Sequence, residues 1–162
     1  MESSFNPLPY TAVDIAKAFL ERAQADPEAK QDISNMKLNK LVYFAQIVCL
    51  AVFGRAIHHN NTHAWDYGPV APLLYKKIKQ FGSRPISLNA PEVEQIFAEA
   101  SPVTAEEAVK SINIVWNALK GKTAVQLSMM THRPGTPWEI TYEKNQYGVI
   151  PLALMKEKKF GD

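Results

Sequence analysis

The sequence predicts a mainly α protein, a compact single-domain helical bundle with a small β-hairpin insertion. Most of the chain repeats apolar residues at three- and four-residue intervals, which is the period of an amphipathic helix. Ser, Thr and Pro residues stand at the starts of these segments, where helices favour N-caps and first-turn prolines. The helical period disappears between Arg55 and Pro69, and a short hairpin fits there.

Capping signals mark the start of five predicted helices. In four of them an acidic or amide side chain stands three residues after the cap and can reach back to it. The caps are Thr11, Ser34 or Asn35, Thr104, Thr123 and Thr136. The helices are predicted to end near Ala25, near Phe53, near Gly121, before Arg133 and near Tyr142. Two further helices begin at prolines, one from Pro69 and Pro72 to Gly82 and a brief acidic one over Pro91 to Ala100.

The helix from Met36 to Phe53 is predicted to be the central and most buried one, because apolar residues surround its second half. Its apolar stretch, Leu41 to Phe53, is shorter than the roughly 20 residues that a bilayer span needs, so we predict a core helix and no membrane partner. We expect Cys49 to be a packed, inert thiol in this segment. Lys37 and Lys40 are expected to stay on the exposed first turn.

Length and composition indicate an ordinary globular domain. The chain has 162 residues, of which 46% are hydrophobic and 21% are charged, so the disordered and collagen-like classes are excluded. A net charge of +2 is too small to mark the whole chain as a binder of nucleic acid or membrane surfaces. One cysteine and an N-terminal segment without a signal-peptide pattern predict a cytoplasmic protein. We expect residues 1–10 to be an N-terminal extension and residues 11–162 to form the domain.

Three histidines fall in or beside the predicted hairpin. The predicted strands and turn are Ala56 to His59, Asn60-Asn61 and Thr62 to Trp65, with Tyr147 to Ile150 as a further strand partner. In this register His58 lies opposite His63, where two imidazoles could share a metal ion. Two ligands do not close a zinc site, and no companion motif supplies the others. We therefore predict solvated turn histidines, no metal and no cofactor.

Charge is distributed unevenly after the hairpin, where a basic stretch is followed by an acidic one. The basic residues are Lys76, Lys77, Lys79 and Arg84, and the acidic ones are Glu92, Glu94, Glu99, Glu106 and Glu107. The basic stretch lacks interleaved aromatic residues, so a solvated face is favoured over a phosphate site and nucleic acid is not the expected partner. The acidic stretch suits a basic protein partner, since complementary fields speed and select encounters.

Ser128 and His132 are four residues apart on a predicted helix, close enough for a contact between hydroxyl and imidazole. No nucleophile elbow is present, and a serine inside a helix lacks the strained setting of a reactive hydroxyl. We therefore predict structural roles, with Ser128 bonded to a backbone carbonyl and His132 organising the corner before Arg133 by hydrogen bonds.

Three segments form a pattern by their order and spacing. They are MKLNKLVYFAQ at residues 36–46, AWDYGPVAPLLY at residues 64–75, and LSMMTH at residues 127–132 followed by Pro137-Trp138. Together they resemble the Panacea domain, the family of SocA-like antitoxins and phage-associated proteins, and the similarity extends from about Thr11 to Tyr142. The matched residues expected to be scaffold are Leu41, Tyr43, Gly68, Pro69, Pro72, Tyr75, Ser128, His132, Pro137 and Trp138.

The resemblance implies a helical bacterial or prophage protein that acts by binding rather than by catalysis. Members of the family neutralise a partner toxin by direct complex formation, and one type is regarded as an adaptor that delivers its toxin to a Clp-type ATP-dependent protease. The implied partner is a cognate protein toxin from a neighbouring gene. The predicted partner-binding residues are Trp65, Tyr67, Lys76, Lys77, Lys79, Glu92, Glu94 and Glu99.

Several alternatives stay open at this point. Trp65 and Trp138 either pack together or on the central helix, or serve as part-exposed anchors for a partner. A metal-assisted hydrolase would use His58, His63 and His132, with Glu139 as its base. A DNA-binding autoregulator would use the basic stretch and bind duplex DNA with strong salt dependence.

Overall fold

The computed structural model describes residues 5–157. Within them the chain forms eight α-helices and a two-stranded antiparallel sheet, so the predicted mainly α fold with a small hairpin is confirmed. The helices are α1 (Ala12–Ala25), α2 (Asn35–Phe53), α3 (Pro72–Ile78), α4 (Pro91–Ile96), α5 (Glu106–Leu119), α6 (Ala124–Thr131), α7 (Pro137–Lys144) and α8 (Leu152–Glu157). The strands are β1 (His63–Trp65) and β2 (Gly68–Val70).

Helix α2 lies at the centre and packs against α1, α5, α6, α8 and β2. Ser34 is its N-cap and accepts a hydrogen bond from the Lys37 backbone N–H, and Gly54 ends it in the left-handed conformation with φ of 70°. By length and composition α2 is the one helix of the described chain that could cross a membrane, and 78% of its apolar window is buried inside the fold. The predicted core helix is confirmed.

The prediction that Lys37 and Lys40 are exposed is wrong. The Lys37 side chain is fully buried, and its Nζ donates to Asp32 at 2.7 Å and to the Lys120 carbonyl oxygen at 2.9 Å. The Lys40 side chain is also buried, and its Nζ donates to the Pro69 carbonyl oxygen at 3.3 Å. The cause is tertiary, because the loop before α2, the end of α5 and strand β2 cover the start of the helix.

The hairpin lies further along the chain than predicted. Strand β1 pairs with β2, with His63 opposite Val70 and Trp65 opposite Gly68, so the turn is Asp66-Tyr67 and not Asn60-Asn61. His58 is therefore not the cross-strand partner of His63, and Pro69 lies in β2 and not in the first turn of a helix. Helix α3 begins at Pro72.

The segment predicted as the first hairpin strand instead binds the N-terminal segment. The Leu8 N–H donates to the Ala56 carbonyl at 2.9 Å, and the His59 N–H donates to the Tyr10 carbonyl at 3.0 Å. Asn60 Oδ1 accepts from the Ala12 N–H at 2.7 Å, at the start of α1. These hydrogen bonds hold the chain before α1 against the core, and the one from His59 uses a backbone N–H that the predicted hairpin would need.

Two predicted capping boxes are confirmed, at Thr11 before α1 and at Thr123 before α6. Thr136 caps α7, with Pro137 in the first turn, as predicted. The Thr104 box is wrong, because α5 is preceded by Ala105, which makes no side-chain cap. The backbone N–H groups of residues 104 and 105 instead donate to the Tyr10 hydroxyl, at 3.1 and 2.9 Å.

The segment before α8 pairs with the hairpin, as predicted. Val149 forms an antiparallel bridge with His63, the Tyr147 N–H donates to the Ala64 carbonyl at 2.9 Å, and the Ile150 N–H donates to the Thr62 carbonyl at 2.8 Å. Helix α8 was not expected from the sequence. It buries Met155 and packs against α2.

Candidate protein-binding cleft

A cleft of about 760 Å³ opens between α2 and the hairpin. The first two turns of α2 form one side, and the β1–β2 hairpin, α3 with the residues that follow it, the first turn of α6 and Tyr147 complete it. Its volume lies within the range that is typical of ligand pockets in proteins. We refer to it as the hairpin cleft.

Hydrogen bonds to backbone carbonyls hold the hairpin turn in place. Ser128 Oγ donates to the Tyr67 carbonyl at 2.8 Å, and Trp138 Nε1 donates to the Trp65 carbonyl at 2.7 Å. The imidazole of His132 lies between the Ser128 carbonyl, 2.6 Å from Nδ1, and the Asp66 carbonyl, 3.2 Å from Nε2. The Ser128 hydroxyl is therefore bonded to the turn and not to the imidazole.

The aromatic side chains of this corner pack in two groups. Trp65 is half-buried and meets Tyr75 edge to face, with ring centroids 5.1 Å apart. Trp138 is buried, lies 3.9 Å from the His132 ring and stacks on Tyr142 at 4.5 Å. The two tryptophans are thus linked by a hydrogen bond from ring to backbone, and Trp65 keeps part of its surface open to the cleft.

Asp66, the first residue of the hairpin turn, accepts hydrogen bonds from two tyrosines. Its carboxylate binds the Tyr142 hydroxyl, and both of its oxygens lie 2.9 Å from the Tyr147 hydroxyl. These donors, with Tyr142 the strongest, lower the pKa of Asp66 below its usual range. The same bonds raise the pKa of Tyr142 and Tyr147. The carboxylate is therefore ionised and already satisfied within the fold.

Lys40 forms the floor of the cleft and is 1% exposed. Burial lowers the pKa of its ammonium group to about 8. The neighbouring Gly68 makes room for it: a Cβ atom at residue 68 would lie 2.7 Å from Lys40 Cε and 2.9 Å from Thr131 Oγ1. Gly68 also has φ of 117°, which other residues rarely adopt. Glycine is thus required there for two independent reasons.

The structure brings three of the predicted partner-binding residues together at this cleft: Trp65, Tyr67 and Lys79. The others are exposed but do not line it. Those residues are Lys76 and Lys77 on α3 and Glu92, Glu94 and Glu99 in and after α4. Their role in binding a partner stays a prediction.

Sequence reasoning missed Lys40, Asp66, Val125 and Tyr147 as cleft residues. For Lys40 a signal was present, because a helix that is apolar on all sides has no solvent face on which to place a lysine. Tyr147 could not have been found from local sequence, since it reaches Asp66 across 81 positions of the chain.

The geometry gives no support to a metal-assisted hydrolase, and the DNA-binding alternative stays a prediction. No group of three or more His, Cys, Asp or Glu side chains within residues 5–157 could hold a metal ion. The prediction of solvated turn histidines is wrong for His58, which is buried, and burial lowers its pKa to about 4. Glu139, the base of the hydrolase alternative, accepts the Gly135 N–H at 2.9 Å. Arg84, one of the residues of the DNA-binding alternative, donates to the backbone carbonyls of Phe81 and Gln80.

Cys49 is buried in α2, as expected. Burial raises the pKa of its thiol, which keeps it protonated and unreactive.

A helical scaffold with an open, mainly apolar cleft is suited to binding a ligand or a partner. The chain matches the family model "Antitoxin SocA-like, Panacea domain" over residues 38–139, more than half of its length, and it belongs to that family. It is similar to the Antitoxin SocA of Caulobacter vibrioides (strain NA1000 / CB15N). The two are 28% identical over 129 residues, which cover 78% of this chain and 67% of that protein. No solved structure matches the chain.

Proposed function

We propose that the protein is an antitoxin that neutralises a cognate protein toxin by direct complex formation and catalyses no reaction. The observation that carries the proposal is membership of the SocA-like antitoxin family across the core of the fold, from α2 to the start of α7. The match includes the elements that form the hairpin cleft except the loop before α2, the first turn of α2 and Tyr147. The toxin is expected from a neighbouring gene, and both proteins would act in the bacterial cytoplasm.

The mechanism we propose is occlusion of the toxin. Part-exposed aromatic residues are strong anchors in protein interfaces, and Trp65 and Tyr67 occupy that position at the mouth of the cleft. The rim of the interface would be basic at Lys76, Lys77 and Lys79. It would be acidic at Glu92, Glu94 and Glu99. Charged rims act mainly on association rate and partner choice.

A co-expression experiment tests the proposal. The chain and the product of the adjacent gene are expressed separately and together in a bacterial host. We expect the neighbour alone to stop growth, the pair to restore it, and the two proteins to co-purify. Restored growth without co-purification would argue against neutralisation by complex formation.

Charge reversal tests the acidic surface separately. The triple variant Glu92→Lys, Glu94→Lys and Glu99→Lys changes exposed side chains, so the fold should be preserved. We expect weaker binding to the toxin, mainly through a slower association rate. Unchanged affinity would remove this surface from the proposed interface.

We also propose that the antitoxin delivers the bound toxin to a Clp-type protease. The half-life of the toxin is measured with and without the antitoxin, in a host with and without the protease. Adaptor action predicts that the antitoxin shortens the half-life only when the protease is present. An unchanged half-life with full growth rescue would leave occlusion as the whole mechanism.

A further inference from the structure

The floor of the hairpin cleft holds a cation that no acidic group in residues 5–157 neutralises. Lys40 Nζ makes one hydrogen bond there, at 3.3 Å to the Pro69 carbonyl, although an ammonium group carries three donors. Burial of an unpaired charge is unfavourable. The unpaired charge lowers the stability of the fold. A bound anion would offset this loss.

Two helix N-termini add positive potential at the same place. The first turns of α2 and α6 both line the cleft, and neither contains an acidic residue. Aligned peptide dipoles make the N-terminus of a helix favourable for anions. Lys79 lies at the rim and forms no ion pair with the described acidic residues. These positive groups line one and the same cleft.

The two acidic residues of the cleft are already engaged. Asp32 is paired with Lys37 at 2.7 Å, and Asp66 accepts hydrogen bonds from Tyr142 and Tyr147. Neither carboxylate contacts Lys40. The cleft is thus complementary to an additional carboxylate supplied by a ligand.

An exposed apolar surface continues from the mouth of the cleft along α6. Tyr67 is 72% exposed, Val125 63% and Met129 66%. Val125 and Met129 are one helical turn apart and so lie on one face of α6. Tyrosine and methionine are enriched in protein interfaces. A small molecule in the cleft would leave this surface in water, whereas a segment of a protein would cover it.

We propose that the hairpin cleft docks a segment of the toxin that places a carboxylate against Lys40 and an apolar side chain against Tyr67 and Val125. The identity of the partner in this inference rests on the proposed function. The carboxylate chemistry does not, and it can be tested without the toxin.

A pair of small probes tests the carboxylate site. Binding of 3-phenylpropionate and of its uncharged analogue 3-phenylpropionamide is followed at pH 7 by amide chemical shifts in two-dimensional NMR spectra. We expect the carboxylate to bind at least fivefold more tightly, with shifts at cleft residues, and the preference to disappear in Lys40→Met. Equal binding of the two probes, or a preference that survives in Lys40→Met, would overturn the carboxylate site.

Variants of the antitoxin test the occupant. Lys40→Met removes the cation, and Val125→Glu places a negative charge on the exposed rim; we expect each to weaken the complex with the toxin at least tenfold. Lys110→Met and Val52→Glu are the matched controls, because both residues are exposed and neither lines the cleft. The controls should bind like the wild type.

A loss of binding through misfolding is distinguished by thermal stability. Lys40→Met removes an unpaired buried charge, so its melting temperature should equal or exceed that of the wild type. Wild-type affinity in both cleft variants would overturn the docking inference and leave the antitoxin function intact. If the wild type itself fails to bind the toxin, the proposed function and the docking partner both fall, and the probes still decide the carboxylate site.

Discussion

At the scale of single residues, Lys40 links stability to pH. Its pKa of about 8 in the folded chain lies below the ordinary value of 10.5. Between these two pH values the unfolded chain keeps a proton that the folded chain has released, so the free energy of unfolding rises with pH, by up to about 3 kcal/mol.

We therefore expect urea titrations to show a larger gain in stability from pH 8 to pH 10 for the wild type than for Lys40→Met. Taking the difference between the two proteins cancels the titration of other groups. Parallel curves for the two proteins would mean that the ammonium group is hydrated or paired in solution.

Gly68 lies against Lys40, where there is no room for a larger residue. We expect Gly68→Ala to lower the free energy of unfolding by about 2 kcal/mol, because it forces a side chain into a positive φ and places a Cβ atom against Lys40 and Thr131. Gly121→Ala is the matched control, since a Cβ atom at residue 121 meets nothing within 4 Å. Chemical denaturation of both variants measures the difference, and equal effects would contradict this account.

At the scale of elements, the helix starts show where local sequence is a reliable guide. Thr123 forms a reciprocal capping box with Gln126, whereas the similar pattern at Thr104 does not cap α5. The reason is competition: the Tyr10 hydroxyl already accepts the Thr104 N–H, which the Glu107 carboxylate would accept in a capping box, and Glu107 pairs with Arg55 instead. A capping pattern identifies a helix start only if no distant acceptor reaches it first.

Two threonine variants test this difference. Thr123→Ala should lower the free energy of unfolding by about 1 kcal/mol, the usual effect of losing a side-chain cap. Thr104→Ala should have a clearly smaller effect, because Thr104 is exposed and caps nothing. Thermal melts of both variants provide the measurement, and a larger loss for Thr104→Ala would contradict the assignment of the α5 N-terminus.

The hairpin illustrates the opposite case, in which the element was expected but its register was not. Asn60-Asn61 has the composition of a tight turn, yet its neighbours bond to the N-terminal segment, and the turn forms at Asp66-Tyr67. The register is decided by contacts more than 50 positions away, such as those of Ser128 and Trp138 with the turn. No local pattern contains that information.

At the scale of the whole molecule, the N-terminal segment is part of the packed core. Leu8 and Tyr10 are 3% and 6% exposed, and the segment exchanges backbone hydrogen bonds with Ala56 and His59. We expect deletion of residues 1–10 to lower the free energy of unfolding by about 4 kcal/mol, because two large side chains leave the core.

Leu8→Ala in the full chain separates packing from chain length. It should cost about 3 kcal/mol, as for other buried leucines. Circular dichroism melts of the two proteins make the comparison. A deleted protein as stable as the wild type would show that residues 11–162 suffice as a domain, which is the boundary that the sequence predicts.

Local sequence was enough to predict seven of the eight described helices, the buried position of α2 and the family, because caps, apolar periodicity and short motifs act over a few residues. It also placed Trp65, Tyr67 and Lys79 among the candidate binding residues. The hairpin register, the hairpin cleft and the segments that cover Lys40 required the folded chain. Each depends on which distant segments compete for the same hydrogen bonds and cover the same helix face, and those contacts form only when α2, the hairpin and α6 pack together.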